Sequence, residues 1–520
     1  MESTTDVPRA GRREWAALGI LALPTMVLSM DLTVLHLAAP SMSADLAPSG
    51  TQLLWILDVY GFLMAGSLLV MGPLGDRIGR RRLLSIGAVA FTAASLLAAY
   101  ASSPEALIVA RALLGVAAGT LMPSTLALLT DLFRAPAQRA LAIALWMVAF
   151  TGGEALGPLV GGALLEFLWW GSVFLIAVPV MILLLALAPF LIPESTERTP
   201  GRLDPLSVTM LLVAVLASVY GVKEFSAQGM GVTTGVWLLV GVVSGVLFVR
   251  RQSRLTDPVV DPALFRIPAF SAGVGVQMLA VAAMAGGQLL TLQYLQSVLG
   301  LTPFEAGLWT VPSVLLGVAA TLLAPRLTRR VRPAHVVAGS LFVAASGSTL
   351  LATTVPREDL LWTVVGFTVL YVGVTPTLVL TTDLVVGSVP RERAGTAAGV
   401  SESGAELGLS GGMALIGAAV MSVYGSRVSA GAPEGVSEER SMEAAETVGQ
   451  GVAVAESLGG ESGDALMEVV RSAFAEGLRV ATAIGAVVLL AAVVLALVFL
   501  RTVPSTGEIS DESEPGRGGG

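Results

Sequence analysis

Fourteen long apolar runs, each bounded by charges or turn signals, dominate the sequence: 16–38, 54–74, 83–101, 106–130, 140–163, 172–192, 205–222, 233–249, 269–297, 306–325, 334–354, 360–382, 395–423 and 480–500. A helix needs roughly 20 mostly apolar residues to cross the hydrocarbon core of a bilayer. Inside that core every backbone N–H and C=O must bond within the protein, which continuous runs of this length satisfy as helices. Of the 520 residues, 54% are hydrophobic and 13% charged, against about 25% charged in soluble domains. A water-soluble fold could not hide so much apolar surface. The expectation is an all-α integral membrane protein with 14 transmembrane helices.

Basic residues orient such a chain, because loops rich in Arg and Lys stay in the cytoplasm. All 30 basic residues except Lys223 are arginines. With the amino terminus inside, 23 of them fall on the cytoplasmic side and six outside, and only Arg111 lies within a run. An odd miscount in the middle of the chain would flip the later loops and spoil that asymmetry. Both termini are therefore expected in the cytoplasm of a bacterial inner membrane. The first run is too long for a signal-peptide core and reads as a retained span.

A shift of 252 residues lays Thr130, Asp131, Leu132, Arg139, Gly152 and Glu154 on Thr382, Asp383, Leu384, Arg391, Gly404 and Glu406. The offset equals six spans plus an insertion of two, and a parallel duplication of six-span halves is a transporter architecture. The expected organisation is a cytoplasmic segment 1–15, a six-helix bundle 16–193, and two inserted helices with their loops over 194–265. A second bundle over 266–501 contains an acidic external loop, 424–476, expected to be solvated and partly helical. A disordered tail covers 502–520; it is Gly-rich, acidic and nearly free of apolar residues.

Four local patterns carry chemistry. Gly72-Pro-Leu-Gly-Asp76-Arg77-Ile-Gly79-Arg80-Arg81-Arg82 lies between spans two and three. Its glycines allow a tight turn. Its acid, set among arginines, can make charge-assisted bonds in one conformation and lose them in another, which suits a gate. In span four, Arg111-Ala-Leu-Leu-Gly115-Val-Ala-Ala-Gly119 places an arginine in hydrocarbon, at a cost of at least about 2.5 kcal/mol unless it has a partner or a job. In span five, Gly153-Glu-Ala-Leu-Gly157-Pro158-Leu-Val-Gly161-Gly162 offers small residues for close helix packing and a proline kink. In span one, Asp31 precedes Leu-Thr-Val-Leu-His-Leu-Ala-Ala-Pro40, an acid within an apolar helix.

Together these patterns resemble the major facilitator superfamily, and within it the 14-span drug–proton antiporters of the QacA and SmvA type, which export quaternary ammonium compounds and other drugs. The resemblance runs from Asp31 to Glu194, including Leu54-Trp-Ile-Leu-Asp58-Val-Tyr-Gly and Trp169-Trp-Gly-Ser-Val-Phe, and continues more weakly to about residue 500. It implies two six-helix bundles that alternate access, with protons as the driving force and hydrophobic cations as cargo. The chain departs from the family pattern in three places. Leu114 stands where many relatives carry Gln. Pro325-Arg326-Leu-Thr-Arg329-Arg330, the counterpart of the gate motif, lacks its acid. The tenth span has no acid between Leu308 and Leu323.

Five acids fall within spans. Desolvation raises a carboxyl's proton affinity and a nearby cation lowers it, so an acid alternating between two such settings can load and release a proton. Asp31, opposed by Arg111, is the expected proton-coupling residue. Asp58, Glu154, Glu406 and Glu402 are candidates for holding cationic substrate, and some of them alternatively tie helices together. Glu402 and Glu406, four apart, share a helix face. Trp146 and Phe150, two turns and one turn before Glu154, are candidate cavity-lining aromatics. Asp131 and Asp383, at cytoplasmic helix ends, are expected to partner gate arginines such as Arg77.

The reading is a proton-coupled exporter of lipophilic cations, acting as a monomer among membrane lipids without nucleic acid. No enzyme activity, cofactor or metal site is expected. The chain has no cysteine, and His36 and His335 lie far apart. It also has no Gly-x-x-x-x-Gly-Lys phosphate loop. The alternatives are a dedicated exporter of one neutral or anionic natural product, and a non-transporting membrane receptor.

Overall fold

The computed structural model describes residues 10–48, 50–194, 204–228, 231–255, 258–301, 303–433 and 436–501. Residues 1–9, the linker 195–203 and the expected tail 502–520 lie outside them. So do the side chains of His36, Asp58, Pro158, Lys223 and Arg391.

The amino-terminal bundle is built from α1 (Arg12–Leu46), α2 (Gly50–Ile78), α3 (Arg80–Ala99), α4 (Pro104–Leu132), α5 (Pro136–Phe167), and α6 (Ser172–Leu175) leading into α7 (Ala177–Leu191). Next come α8 (Pro205–Gln228) and α9 (Val232–Gln252), which pair with each other. The carboxy-terminal bundle comprises α10 (Pro268–Ser297), α11 (Pro303–Leu327), α12 (Pro333–Thr354), α13 (Leu360–Gly387), α14 (Ala394–Gly431) and α17 (Gly460–Phe499). Two short helices, α15 (Glu438–Glu446) and α16 (Val448–Leu458), sit between the last two.

Thirteen described spans are long and apolar enough to cross a membrane. The 32-residue α5, at the expected fifth span, has a polar first turn and packs against α1 within the amino-terminal bundle. Helix starts follow local chemistry. Proline opens α4, α5, α10 and α12, where its missing N–H costs nothing. The Ser103 and Asp359 side chains accept from the N–H groups of Ala106 and Trp362, capping α4 and α13. A single residue, Gly79, joins α2 to α3 with φ +109°, a conformation that glycine alone adopts freely.

The packing repeats. In the first bundle α1 packs on α5 and α7, α2 on α4, and α3 on α4 and α7. In the second, α10 packs on α14 and α17, α11 on α13, and α12 on α13 and α17. Each contact has its counterpart, as the 252-residue repeat implies. Between bundles, α2 meets α14, and α5 meets α11 and α13. Helix α8 lies against both α2 and α14.

The external loop is more ordered than its composition implies. Helix α14 runs on to Gly431 and α17 begins at Gly460, so α15 and α16 fill most of what lies between. Ala444, Val448, Val454 and Ala455 bury against the second bundle, and the Tyr424 hydroxyl donates to the carbonyls of Ala444 and Thr447 at 2.8 and 3.2 Å. Sparse small apolar residues, too few to read as a span, suffice to dock these helices.

Candidate functional site

Arg111 on α4 is 2% exposed and ion-pairs with Asp31 on α1. Its Nε donates to the Ile56 carbonyl on α2 at 3.2 Å. Its guanidinium lies 4.5 Å from the Tyr60 ring centroid and 6.0 Å from that of Phe174. A charge, a carbonyl dipole and two ring faces thus replace the water this cation gives up. The arrangement depends on Gly115, one turn after Arg111: a Cβ there would sit 2.4 Å from the Tyr60 carbonyl oxygen. A small cavity of about 10 Å³, the size of one water, touches Asp31 and is lined by Ser95, Phe91, Val173 and Phe174 among others.

The second cluster lies between the bundles. Glu154 on α5 and Glu406 on α14 occupy repeat-equivalent positions and lie within electrostatic reach of each other. Glu406 also reaches Glu402 and Tyr60. Tyr371 on α13 lies within reach of Glu154, with its hydroxyl bonded to Thr151. Three carboxylates are therefore gathered from both halves of the molecule.

Of the two aromatics expected beside this cluster, Trp146 lies elsewhere. Trp146 is 1% exposed in the first bundle's core and donates its indole N–H to Thr125 at 3.2 Å. Phe150 is half-buried against the same core. Eight residues of helix rotate Trp146 roughly 80° away from Glu154, which turns it towards α4. Tyr60 and Tyr371 are aromatics near the carboxylates. Spacing along one helix could not find them, because they approach from α2 and α13.

At the end where α2 turns into α3, the gate motif closes on the second bundle. Asp76 accepts from the N–H groups of Gly395 and Thr396 at 3.0 and 2.8 Å, and from the Thr396 hydroxyl at 3.1 Å. These are first-turn groups of α14, which a helix leaves unsatisfied and which favour an anion. Arg80, 1% exposed, donates to Asp76 Oδ1 at 2.9 and 3.1 Å and to Asp131 at 2.7 Å. Gly72 permits the approach, since its Cβ would lie 2.2 Å from the Gly395 carbonyl oxygen. Nearby, Arg139 on α5 pairs with Asp383 on α13 at 2.7 Å. The acids at the helix ends thus pair with Arg80 and Arg139, and Arg77 donates to the Pro258 carbonyl at 3.4 Å. In the span-five motif, Gly153 and Gly161 are at close approaches to Met26 and Val34 of α1. Gly157 is buried, and Gly162 faces open space, with nothing within 4 Å of its Cβ position.

The sequence profile of the Major Facilitator Superfamily matches residues 21–413. The chain belongs to that superfamily. It is a multi-pass membrane transporter rather than an enzyme. It is 40% identical to the multidrug efflux pump LfrA of Mycolicibacterium smegmatis, over 96% of this chain and 99% of that protein. It is 34% identical to the methyl viologen resistance protein SmvA of Salmonella typhimurium, over 89% and 93%. It is 32% identical to a tetracenomycin C resistance and export protein of Streptomyces glaucescens, over 93% and 91%. Among solved structures, the human organic anion transporter MFSD10 superposes with a TM-score of 0.62 at 14% identity, covering 93% of this chain and 99% of that one. That likeness concerns the fold.

Proposed function

We propose that the chain is a proton-coupled antiporter that exports lipophilic cationic drugs, quaternary ammonium compounds included, across the bacterial inner membrane. The observation that carries this reading is that Glu154 and Glu406, from equivalent helices of the two bundles, lie within electrostatic reach of each other, with Glu402 one turn from Glu406. Half-buried and buried carboxylates within electrostatic reach of one another favour a cation or a proton near them, and groups contributed by both bundles are remade each time the bundles rock. Similarity to a multidrug efflux pump and a methyl viologen resistance protein supports the same substrate class.

Asp31 and Arg111 are the proposed coupling pair. Protonation of Asp31 neutralises it and frees Arg111, so the pair responds to the proton gradient without touching cargo. Glu154, Glu402 and Glu406 hold substrate, with Tyr60 and Tyr371 offering ring faces. Asp58 remains a substrate candidate from its position on α2. Trp146 is not proposed as a substrate contact, because it packs in the core; half-buried Phe150 stays a candidate. Energy comes from the proton gradient and no cofactor is required. The arginine bias puts the Asp76 end and both termini in the cytoplasm, with the domain limits read from the sequence.

The test is proton-coupled transport in inside-out vesicles energised to an acid interior, with ethidium or a quaternary ammonium added and lumenal pH followed by fluorescence quenching. Cation-induced dequenching that vanishes in Asp31→Asn supports the reading; in Glu406→Gln it is lost for some cations and kept for others. Failure of every cation to dequench, with correctly inserted protein, would overturn it. Weight would then shift to export of one neutral or anionic natural product; one relative is named for resistance to and export of tetracenomycin C.

A further inference from the structure

Two-bundle transport needs no more than twelve spans, and the reading above gives α8, α9 and the segment after them nothing to do. Their polar side chains are nevertheless organised. Gln252, the last residue of α9, is 1% exposed, deep for an amide at a helix end. Its Oε1 accepts from the N–H groups of Val259 and Val260 at 2.6 and 3.4 Å, and its Nε2 donates to the Ser207 hydroxyl at 2.7 Å. Ser207, 0% exposed, donates to Asp204 at 2.6 Å, and Arg251 Nε donates to the same carboxylate oxygen at 2.7 Å. One amide therefore ties together the start of α8, the end of α9 and the segment leading to α10.

That segment touches both sides of the closed gate. Val259, Val260 and Leu264 bury into the hydrophobic core that the first bundle shares with Phe270, Val385 and Ala394 of the second. The Pro258 carbonyl accepts from Arg77 of the gate motif. Three residues on, Asp261 accepts from Ala263 N–H through Oδ1 and pairs with Arg393 through Oδ2. Arg393 stands immediately before α14, two residues ahead of the Gly395 N–H that binds Asp76.

We propose that residues 258–266, seated by Gln252, are a clasp across the gate, and that Gln252 and Asp261 are positioning residues that hold α14 where Asp76 can bind its first turn. The clasp's seat is α8, which lies against both α2 and α14; on α2, Leu212 and Leu216 pack around Gly66 and Tyr220 stacks on Trp55. Opening the gate carries Arg393 away with α14 and breaks its bond to Asp261, so the clasp biases the bundles towards the closed arrangement at this end. Isolated charge pairs as exposed as this one have modest worth, which suits a bias and not a lock.

The test reads gate distance directly and needs neither a transported compound nor a proton gradient. The chain has no native cysteine, so Arg134→Cys and Arg329→Cys, both exposed, place a spin-label pair on the two bundles without background. Pulsed electron–electron distance measurements in lipid nanodiscs are compared for Gln252→Leu, Asp261→Asn and the parent. Expected is a longer-distance population that rises roughly two- to fivefold relative to the closed one in Asp261→Asn, with a shift in the same direction in Gln252→Leu. Restoration of the parent distribution by exchanging the pair, Asp261→Arg with Arg393→Asp, would confirm the link across the gate. Unchanged distributions in Asp261→Asn would overturn the proposal. That variant changes a partly exposed side chain and so remains decisive even if Gln252→Leu fails to fold.

Discussion

Arg111 shows what a charge needs in order to persist inside a membrane protein. Burial strips its water, and Asp31, the Ile56 carbonyl and the Tyr60 ring replace it. Each partner uses a different property of guanidinium: its charge, its directed N–H groups and its flat face. Lysine offers only the first. Arg111→Lys is therefore expected to insert and fold but to lose most coupled transport, measured as substrate-induced dequenching in vesicles. Arg111→Ala, which leaves Asp31 buried without its cation, is expected to cost roughly 3–5 kcal/mol, read from thermal unfolding in detergent. The sequence made Asp31 and Arg111 legible because a charge in an apolar run is anomalous by itself. It did not make Gln252 legible, because an amide at a helix end is ordinary until the segment folding back onto it is known. Asp261 gives the acid side of the same chemistry. Partial burial pushes its carboxyl up, but the bonds from Arg393 and the Ala263 N–H and the Arg393 charge outweigh that, and the net shift is downward. A depressed carboxyl stabilises the fold above its ordinary value of about 3.9 and loses that contribution as pH falls through the folded value. The difference in unfolding midpoint between the parent and Asp261→Asn should thus hold constant from pH 7 to about 4 and vanish below.

At the scale of the helix, length and apolarity placed thirteen of the expected spans among the described residues, since the bilayer leaves a chain few other ways to satisfy its backbone. Which face of a helix meets which neighbour was harder to read. Helices apolar all round give no clear stripe, so Trp146 on α5 was set beside Glu154 when it faces Thr125. Glycines supply part of the missing information, but only where a neighbour comes close. Gly115 and Gly162 look alike in sequence, and the structure separates them: a Cβ would meet the Tyr60 carbonyl at 2.4 Å in one case and nothing within 4 Å in the other. Gly115→Ala is expected to destabilise by roughly 1–3 kcal/mol as α4 is forced off α2. Gly162→Ala is expected to be neutral or to stabilise by about 0.5–1 kcal/mol through helix propensity. Thermal unfolding of the two variants in the same detergent checks both, and equal effects would mean that α2 and α4 are not held this closely.

Across the whole molecule, the two bundles are joined at the gate end by polar contacts as well as packing. Asp76 on the first turn of α14 and Arg139 with Asp383 cross between the bundles, and Asp261 pairs with Arg393 ahead of α14. The 252-residue repeat pointed to paired bundles, yet it could not say which repeat-related residues meet. Asp131 and Asp383 are equivalents, and one pairs within its bundle while the other pairs across. That asymmetry makes the Arg139–Asp383 contact the cleanest place to weigh the closed gate. Both side chains are partly exposed, at 22% and 18%, so the pair is worth at most about 1 kcal/mol, roughly a fivefold change in a two-state ratio. Asp383→Asn should raise the open population at this end by up to that factor, and Arg139→Asp by more, since it sets two acids face to face. The exchange Arg139→Asp with Asp383→Arg should return the distribution towards the parent, because charge and reach are both preserved. Gly387 sets the geometric condition: a Cβ there would lie 2.7 Å from Arg139 Nη2, so Gly387→Ala should mimic loss of the pair without removing a charge. If the exchange fails to restore closure while Gly387→Ala leaves it unaltered, the bundles are held by apolar packing and the Asp76 contact alone.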